Sequence, residues 1–292
     1  MRTAMSRLVK IRIAIIAAME REVAPLLRSW EKKANGKSIV REMEHGGRRY
    51  RLFEPVFEQG EVFLICSGIG SESARRATEA VIREVHPSLV ISVGFAGALD
   101  GSLQVADVLR PRTVINSADG VRVDTGSGMG VLLSSASIAD HEQKVRFAKA
   151  YGASAVDMEA AAVAQGAQAR GVEFGVFKAI SDTSDFAMPP VERFVGENGS
   201  FHSLKFAGHV ALRPWLWGVT IALARNSSKA SHALCEVLAD YLAGQTQRDS
   251  SPAGESAGTD LDAAGSGQPN GTCAGEHTLA VTGVHTRSTG KQ

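Results

Sequence analysis

The feature that most constrains this chain is a unit that recurs between Ile11 and Asp182: an apolar run, a closure of glycine, serine or acid, then a stretch with helical spacing. Ile11 to Ala18 reads as a buried strand, and Val23 to Trp30 carries apolar residues at helical spacing. Residues 48–58 and 61–66 read as further strands, the second ending in Ser67-Gly68-Ile69-Gly70 before a helical Ser73 to Val85. Ser88 to Val93 closes on the glycine-rich Gly94-Phe95-Ala96-Gly97-Ala98-Leu99. Val131 to Ser134 and Phe174 to Ile180 are two more strands, with the alanine-rich Ala160 to Arg170 as a helix between them. Strands alternating with helices predict an α/β fold with a mixed, mostly parallel central sheet flanked by helices. Ligands of such sheets bind at the carboxyl ends of the strands, where Glu22, Ser67, Gly94, Glu159 and Asp182 all fall.

The segment from about Gln245 to Gln292 shifts to Ser, Gly, Thr and Asp and cannot build a core, so it is expected to be a disordered tail. That leaves residues 1–10 as an N-terminal extension and 11–244 as one catalytic domain. Net charge is +1, from 32 basic and 31 acidic residues, so no global field draws nucleic acid or an anionic membrane. The apolar run after the basic N-terminus is interrupted by Arg12 and passes into Met19-Glu20-Arg21-Glu22, so this stretch is not expected to be a signal peptide. Three cysteines, Cys66, Cys235 and Cys273, lack metal-ligand spacing, and a reducing cytoplasm is expected. The histidines show no ligand spacing either, so no metal is expected. Gly94 to Gly97 lacks the third glycine of a dinucleotide fingerprint.

Each acidic position has a bland explanation. Ser181-Asp182 could cap a helix, Asp157 and Glu159 could complement the dipole of the helix they lead into, and first-turn acids such as Glu22 are commonplace. Their order along the chain, each at a strand end, is more specific. Together, Ala17-Ala18-Met19-Glu20-Arg21-Glu22-Val23, Ser67-Gly68-Ile69-Gly70, Gly94-Phe95-Ala96-Gly97, Val156-Asp157-Met158-Glu159-Ala160 and Ala179-Ile180-Ser181-Asp182 resemble the motifs of the nucleoside phosphorylase superfamily. Within it they look most like methylthioadenosine/S-adenosylhomocysteine nucleosidases, over residues 11–185.

The resemblance implies a cofactor-free enzyme that cleaves the N-glycosidic bond of a purine nucleoside. Asp182 would protonate N7 of the departing base, and Glu22, helped by Ser67, would orient the attacking water. Glu159 would hold the ribose hydroxyls and steady the oxocarbenium-like charge, with Met158 packed against base and sugar. Met19, Phe95, Ile138 and Ser181 complete the implied substrate-binding set, and a homodimer is implied. A water-activating carboxylate disfavours phosphate as nucleophile, although Arg21 and Arg75 leave phosphorolysis open. A nucleoside-binding protein that no longer turns over is the alternative from another class.

The sequence departs from the nucleosidase pattern in two places. The segment between Leu109 and Val131 is shortened to Arg110 through Gly130, and Ser134-Ser135-Ala136-Ser137-Ile138-Ala139 lacks the aromatic and aspartate that the nucleosidases place beside adenine. Beyond the catalytic stretch, Phe206 to Trp217 and Ile221 to Lys229 extend the chain. These departures look like the hopanoid-associated phosphorylase branch, which implies a lipid-linked adenosine as an alternative substrate. Trp215, Leu216 and Trp217 are expected either to pack on the core or to form an apolar flank in peripheral contact with a membrane.

Overall fold

A computed structural model describes residues 11–55, 61–196 and 199–248. The expected extension 1–10 and residues 249–292 of the expected tail lie outside the described residues. The chain forms β1 (Arg12–Ala17), α1 (Glu20–Lys33), β2 (Val40–His45), β3 (Arg48–Phe53), β4 (Glu61–Cys66), α2 (Ser71–Val85) and β5 (Leu89–Ala98). It continues through β6 (Val108–Leu109), β7 (Thr113–Asn116), β8 (Arg122–Asp124), β9 (Val131–Ser134), α3 (His141–Tyr151), β10 (Ala155–Asp157), α4 (Ala160–Gln168), β11 (Glu173–Asp182), α5 (Ser203–Ala211) and α6 (Trp217–Arg248). α6 runs past the expected boundary at 245.

The strands form one mixed sheet in the order β2-β3-β4-β1-β5-β10-β9-β7-β8, with β11 added beside β5 and β6 beside β11. β1 pairs in parallel with β4 and β5, and β5 in parallel with β11. Antiparallel pairs build the β2-β3-β4 side and the β7-β8 hairpin. The shortened segment between Leu109 and Val131 holds that hairpin.

The central strands read as unbroken apolar runs because both faces of the sheet are covered. Ile13, Ile15 and Ala17 of β1 face a core shared with α1 and α6, while Ala14 and Ile16 face a second core shared with α2 and α4. In α6, Ala230, Leu234, Leu238 and Leu242 recur every four residues as the buried stripe. Its first half, Trp217 to Lys229, contributes no fully buried residue. Trp215 is 74% and Trp217 50% exposed, so the packing expected for these indoles does not occur. Among the described residues no helix is long and apolar enough to cross a membrane.

α1 contains a proline in its interior, Pro25, which has no N–H to offer the carbonyl of Arg21. The hydroxyl of Ser231 on α6 lies 3.1 Å from that carbonyl and 3.0 Å from the carbonyl of Glu22, and supplies the missing donor. This contact ties α6 to the turn of α1 that carries Glu22.

Candidate active site

β1, β4, β5 and β11 run the same way, so their carboxyl ends share one edge. β10 runs against the last residues of β5, pairing Val156 with Gly97, which returns its carboxyl end, Asp157-Met158-Glu159, to the same region. A cavity of about 580 Å³ opens there, within the range of about 300–1,000 Å³ usual for small-molecule sites. Of the residues singled out from sequence, Met19, Glu22, Phe95, Ile138, Met158, Glu159, Ser181 and Asp182 line it. Ser67 is the exception: it is not on the cavity wall, and its hydroxyl donates to the Gly68 carbonyl at 2.7 Å. Arg21 is on the wall, whereas Arg75 pairs with Glu72 and Glu79 on the exposed side of α2.

Glu22 occupies the first turn of α1, where its Oε2 accepts from the backbone N–H of Ala18 at 2.9 Å and of Met19 at 3.1 Å. These bonds aim the carboxylate back across the strand end. Burial raises its pKa, opposed by the charges of Lys178 and Arg21 and by the two amides. Glu159 follows β10, and its Oε1 accepts from the N–H of Gly70 at 2.8 Å, joining two of the expected motifs. Burial pushes Glu159 up to about 7 against the pull of Lys178, with the charges of Asp157 and Glu22 adding to the rise. A carboxyl group poised near neutrality in a cavity is where acid–base or charge-stabilising work is done.

Sequence reasoning missed two lysines. Lys178, in the middle of β11 and 1% exposed, donates to Asp157 Oδ2 at 2.8 Å. Burial works against its charge, but Asp157, Glu159 and Glu22 outweigh that and raise its pKa. Asp157 also accepts from Ser134 Oγ at 2.5 Å and from the N–H of Ala160 at 2.8 Å, so it is fully engaged in fixing the start of α4. Lys144 of α3 lines the cavity and pairs with Asp182, Nζ to Oδ2 at 2.5 Å. Its only signal in the sequence was Asp140-x-x-Gln143, a capping box that begins a helix just before it.

Asp182 ends β11, and no helix starts there, so the capping explanation for Ser181-Asp182 fails. Its Oδ1 accepts from Ser181 Oγ at 2.7 Å. Gly94 to Ala98, expected as a closing turn, continues β5, and two of its glycines are required by the carboxylates. A Cβ on Gly94, at φ +149°, would sit 3.1 Å from Glu22 Oε2, and one on Gly97 would sit 2.8 Å from Asp182 Oδ2. Where an aromatic was expected to be absent, Ser137, Ile138 and Ala139 line the cavity. Aromatic surface comes instead from Phe95 and from Phe201 and Phe206 near α5.

The chain is similar to known proteins. Residues 12–142 and 117–199 match the family described as the Phosphorylase superfamily. A 5'-methylthioadenosine/S-adenosylhomocysteine nucleosidase of Staphylococcus aureus is 29% identical over 207 residues, covering 59% of this chain and 87% of the relative. Futalosine hydrolase of Helicobacter pylori superposes with a TM-score of 0.61 at 19% identity, over 82% of this chain and 100% of the other. The apo 5'-methylthioadenosine nucleosidase of Arabidopsis thaliana gives a TM-score of 0.61 at 17% identity, over 80% and 96%. At such identities the two structures speak for the fold. The family match, spanning most of the described sheet and its strand-end motifs, settles the membership: this chain belongs to the Phosphorylase superfamily.

Proposed function

We propose that the protein hydrolyses the N-glycosidic bond of a purine nucleoside, a 5'-modified adenosine, releasing the base and a ribose derivative. The observation that carries this reading is the convergence of Glu22, Glu159 and Asp182 from three different strand ends on one cavity. In this reading Asp182 delivers a proton to N7 and makes the purine a neutral leaving group. Glu159 accepts hydrogen bonds from the ribose 2'- and 3'-hydroxyls and stabilises the cationic sugar as the bond breaks. Glu22 orients water at C1' and takes its proton. The raised pKa of Glu22 suits a proton acceptor, and its charge disfavours an anionic nucleophile. The similarity to a nucleosidase of S. aureus supports hydrolysis of this bond class.

A lipid-linked adenosine is a second reading, favoured by the apolar part of the cavity lining. Val195, Phe206 of α5, and Leu223 and Ala224 of the first half of α6 are apolar members of that lining, beside the polar Thr220, Ser227 and Ser228. Leu204, Leu212, Trp215, Trp217 and Ile221 add an exposed apolar flank from α5 to α6, which suits contact with a membrane surface.

The test is incubation with methylthioadenosine, S-adenosylhomocysteine, inosine and an alkyl-extended adenosine, with and without phosphate, while following free base. Free base in phosphate-free buffer is the expected result. Phosphate-dependent turnover giving a ribose 1-phosphate would establish phosphorolysis, and binding of every nucleoside without turnover would leave a binding protein.

A further inference from the structure

The reaction proposed above uses Asp182 as the acid but leaves unused the cation beside it. Lys144 is 2% exposed, and its Nζ lies 2.5 Å from Asp182 Oδ2 and 2.7 Å from the carbonyl of Thr183. A lysine ammonium is strongly hydrated and rarely buried, so its place here depends on that countercharge. The fold brings it there deliberately. Asp140 accepts from the N–H of Gln143 at 2.8 Å while the Gln143 side chain accepts from the N–H of Asp140 at 2.9 Å, fixing the first turn of α3. The stem of Lys144 then passes Gly97, where an added Cβ would meet Cε at 3.3 Å and Nζ at 3.4 Å.

Asp182 is therefore held at both oxygens, Oδ1 by Ser181 and Oδ2 by Lys144. Of the three Nζ–H groups, Asp182 and the Thr183 carbonyl engage two. Asp185 and His141 lie nearby: the Asp185 pKa is lowered first by its hydrogen bonds and then by Lys144 and by His141, one turn before Lys144 on α3. Both are exposed at the margin of the pair.

We propose that Lys144 is the proton store of the general acid: a positioning residue that orients Asp182 and passes its own proton through that carboxyl group to the purine. The inference rests on the N-glycosidase reading of the site. As the C1'–N9 bond breaks, its electron pair leaves with the base. A Lys144 N–H bond breaks as the Asp182 carboxylate gains an O–H, and that O–H bond breaks as N7–H forms. Lys144 is left as a neutral amine hydrogen-bonded to the Asp182 carboxylate, and water attacking C1' yields its proton to Glu22. Exchange of that proton with solvent, and uptake of one by Lys144, returns the site to its starting state.

The experiment compares the wild type with Lys144→Arg, Lys144→Met and Asp182→Asn, measuring kcat and KM for base release across pH and melting temperature for each. Arginine keeps the charge and the hydrogen bonds but does not surrender a proton, so Lys144→Arg should lose kcat by about a hundredfold or more while KM changes by less than about threefold. In Lys144→Met the proton rests on a carboxyl alone, and the alkaline fall of kcat/KM should begin at lower pH than in the wild type. A Lys144→Arg variant with kcat within about threefold of wild type, or a Lys144→Met profile superimposed on the wild type, would overturn the inference. If one variant fails to fold, the other decides. An active wild type with an active Asp182→Asn variant overturns the acid assignment and this inference together. A wild type that releases no base from any purine nucleoside overturns the parent reading, and the inference falls with it.

Discussion

A side chain on Gly97 would begin 2.8 Å from Oδ2 of Asp182, so the glycine is a condition for the carboxylate's position. Gly94 stands in the same relation to Glu22, at 3.1 Å. Two residues, Phe95 and Ala96, separate the two glycines, three steps or about 10 Å of extended strand, and each carboxylate is seated against β5 at its own point. Gly97→Ala should therefore displace Asp182 and the Lys144 stem. The expected result is a loss of kcat of about a hundredfold, with a stability loss confined to about 1–3 kcal/mol of overpacking. Steady-state kinetics with a parallel urea titration checks this, and unchanged kcat would mean that Asp182 is free to shift without consequence.

Glu159 makes stability fall with rising pH. Its pKa in the fold is about 7, against an ordinary 4.5, because burial disfavours the charged form. The folded state thus holds a proton that the unfolded chain has lost, and the stabilisation is fully present below 4.5 and disappears as pH rises through about 7. Melting curves of wild type and Glu159→Gln between pH 4 and 8 should diverge across that window, with the wild type losing more. Parallel curves would show that Glu159 does not titrate there. Substrate affinity should run the other way, since the ionised carboxylate accepts both ribose hydroxyl protons.

The bond from Ser231 to the α1 carbonyls reaches the site through Glu22. Ser231→Ala leaves the Arg21 carbonyl, freed by Pro25, without its donor. We expect a loss of about 1 kcal/mol in denaturant unfolding and a fall in kcat larger than any change in KM. A fall in stability with unchanged kcat would confine α6 to a packing role.

Most of the sheet's centre was legible, and for one physical reason. β1, β4, β9 and β11 are covered on one or both faces, so burial wrote them into the sequence as apolar runs. β2 was not legible: only Met43 of its six residues is buried, and the remainder of Val40 to His45 reads as a polar surface. α3 was invisible for the same reason, since its one buried residue is a lysine. β7, β8 and β10, at three or four residues each, are too short for a periodic signal. The glycines from 94 to 97 looked like a turn because their real cause, two carboxylates distant in sequence, is visible only in three dimensions. Carboxylates at strand ends were readable, but the lysines that balance them were not, because a lone lysine is ordinarily a solvated one.

The apolar flank predicts a substrate preference under the lipid-linked reading. Each methylene moved from water to an apolar wall contributes about 0.8 kcal/mol, so kcat/KM should rise severalfold per added methylene while the tail stays on the flank. The comparison is a series of 5'-alkyl adenosines with the wild type and the Trp215→Ala, Trp217→Ala double variant. A flat series, or a double variant that keeps the full chain-length dependence, would restrict the enzyme to small nucleosides.

The central claim is that Asp182 drives departure of a purine base in a hydrolysis. Its most direct test is adenine release from 5'-methylthioadenosine in phosphate-free buffer, measured for the wild type and for Asp182→Asn with the melting temperature of each. The account predicts steady release by the wild type and a loss of about 10²–10⁴-fold in a variant that still melts cooperatively, because an amide cannot donate a carboxylic proton. Near-normal release by a folded Asp182→Asn protein would contradict it.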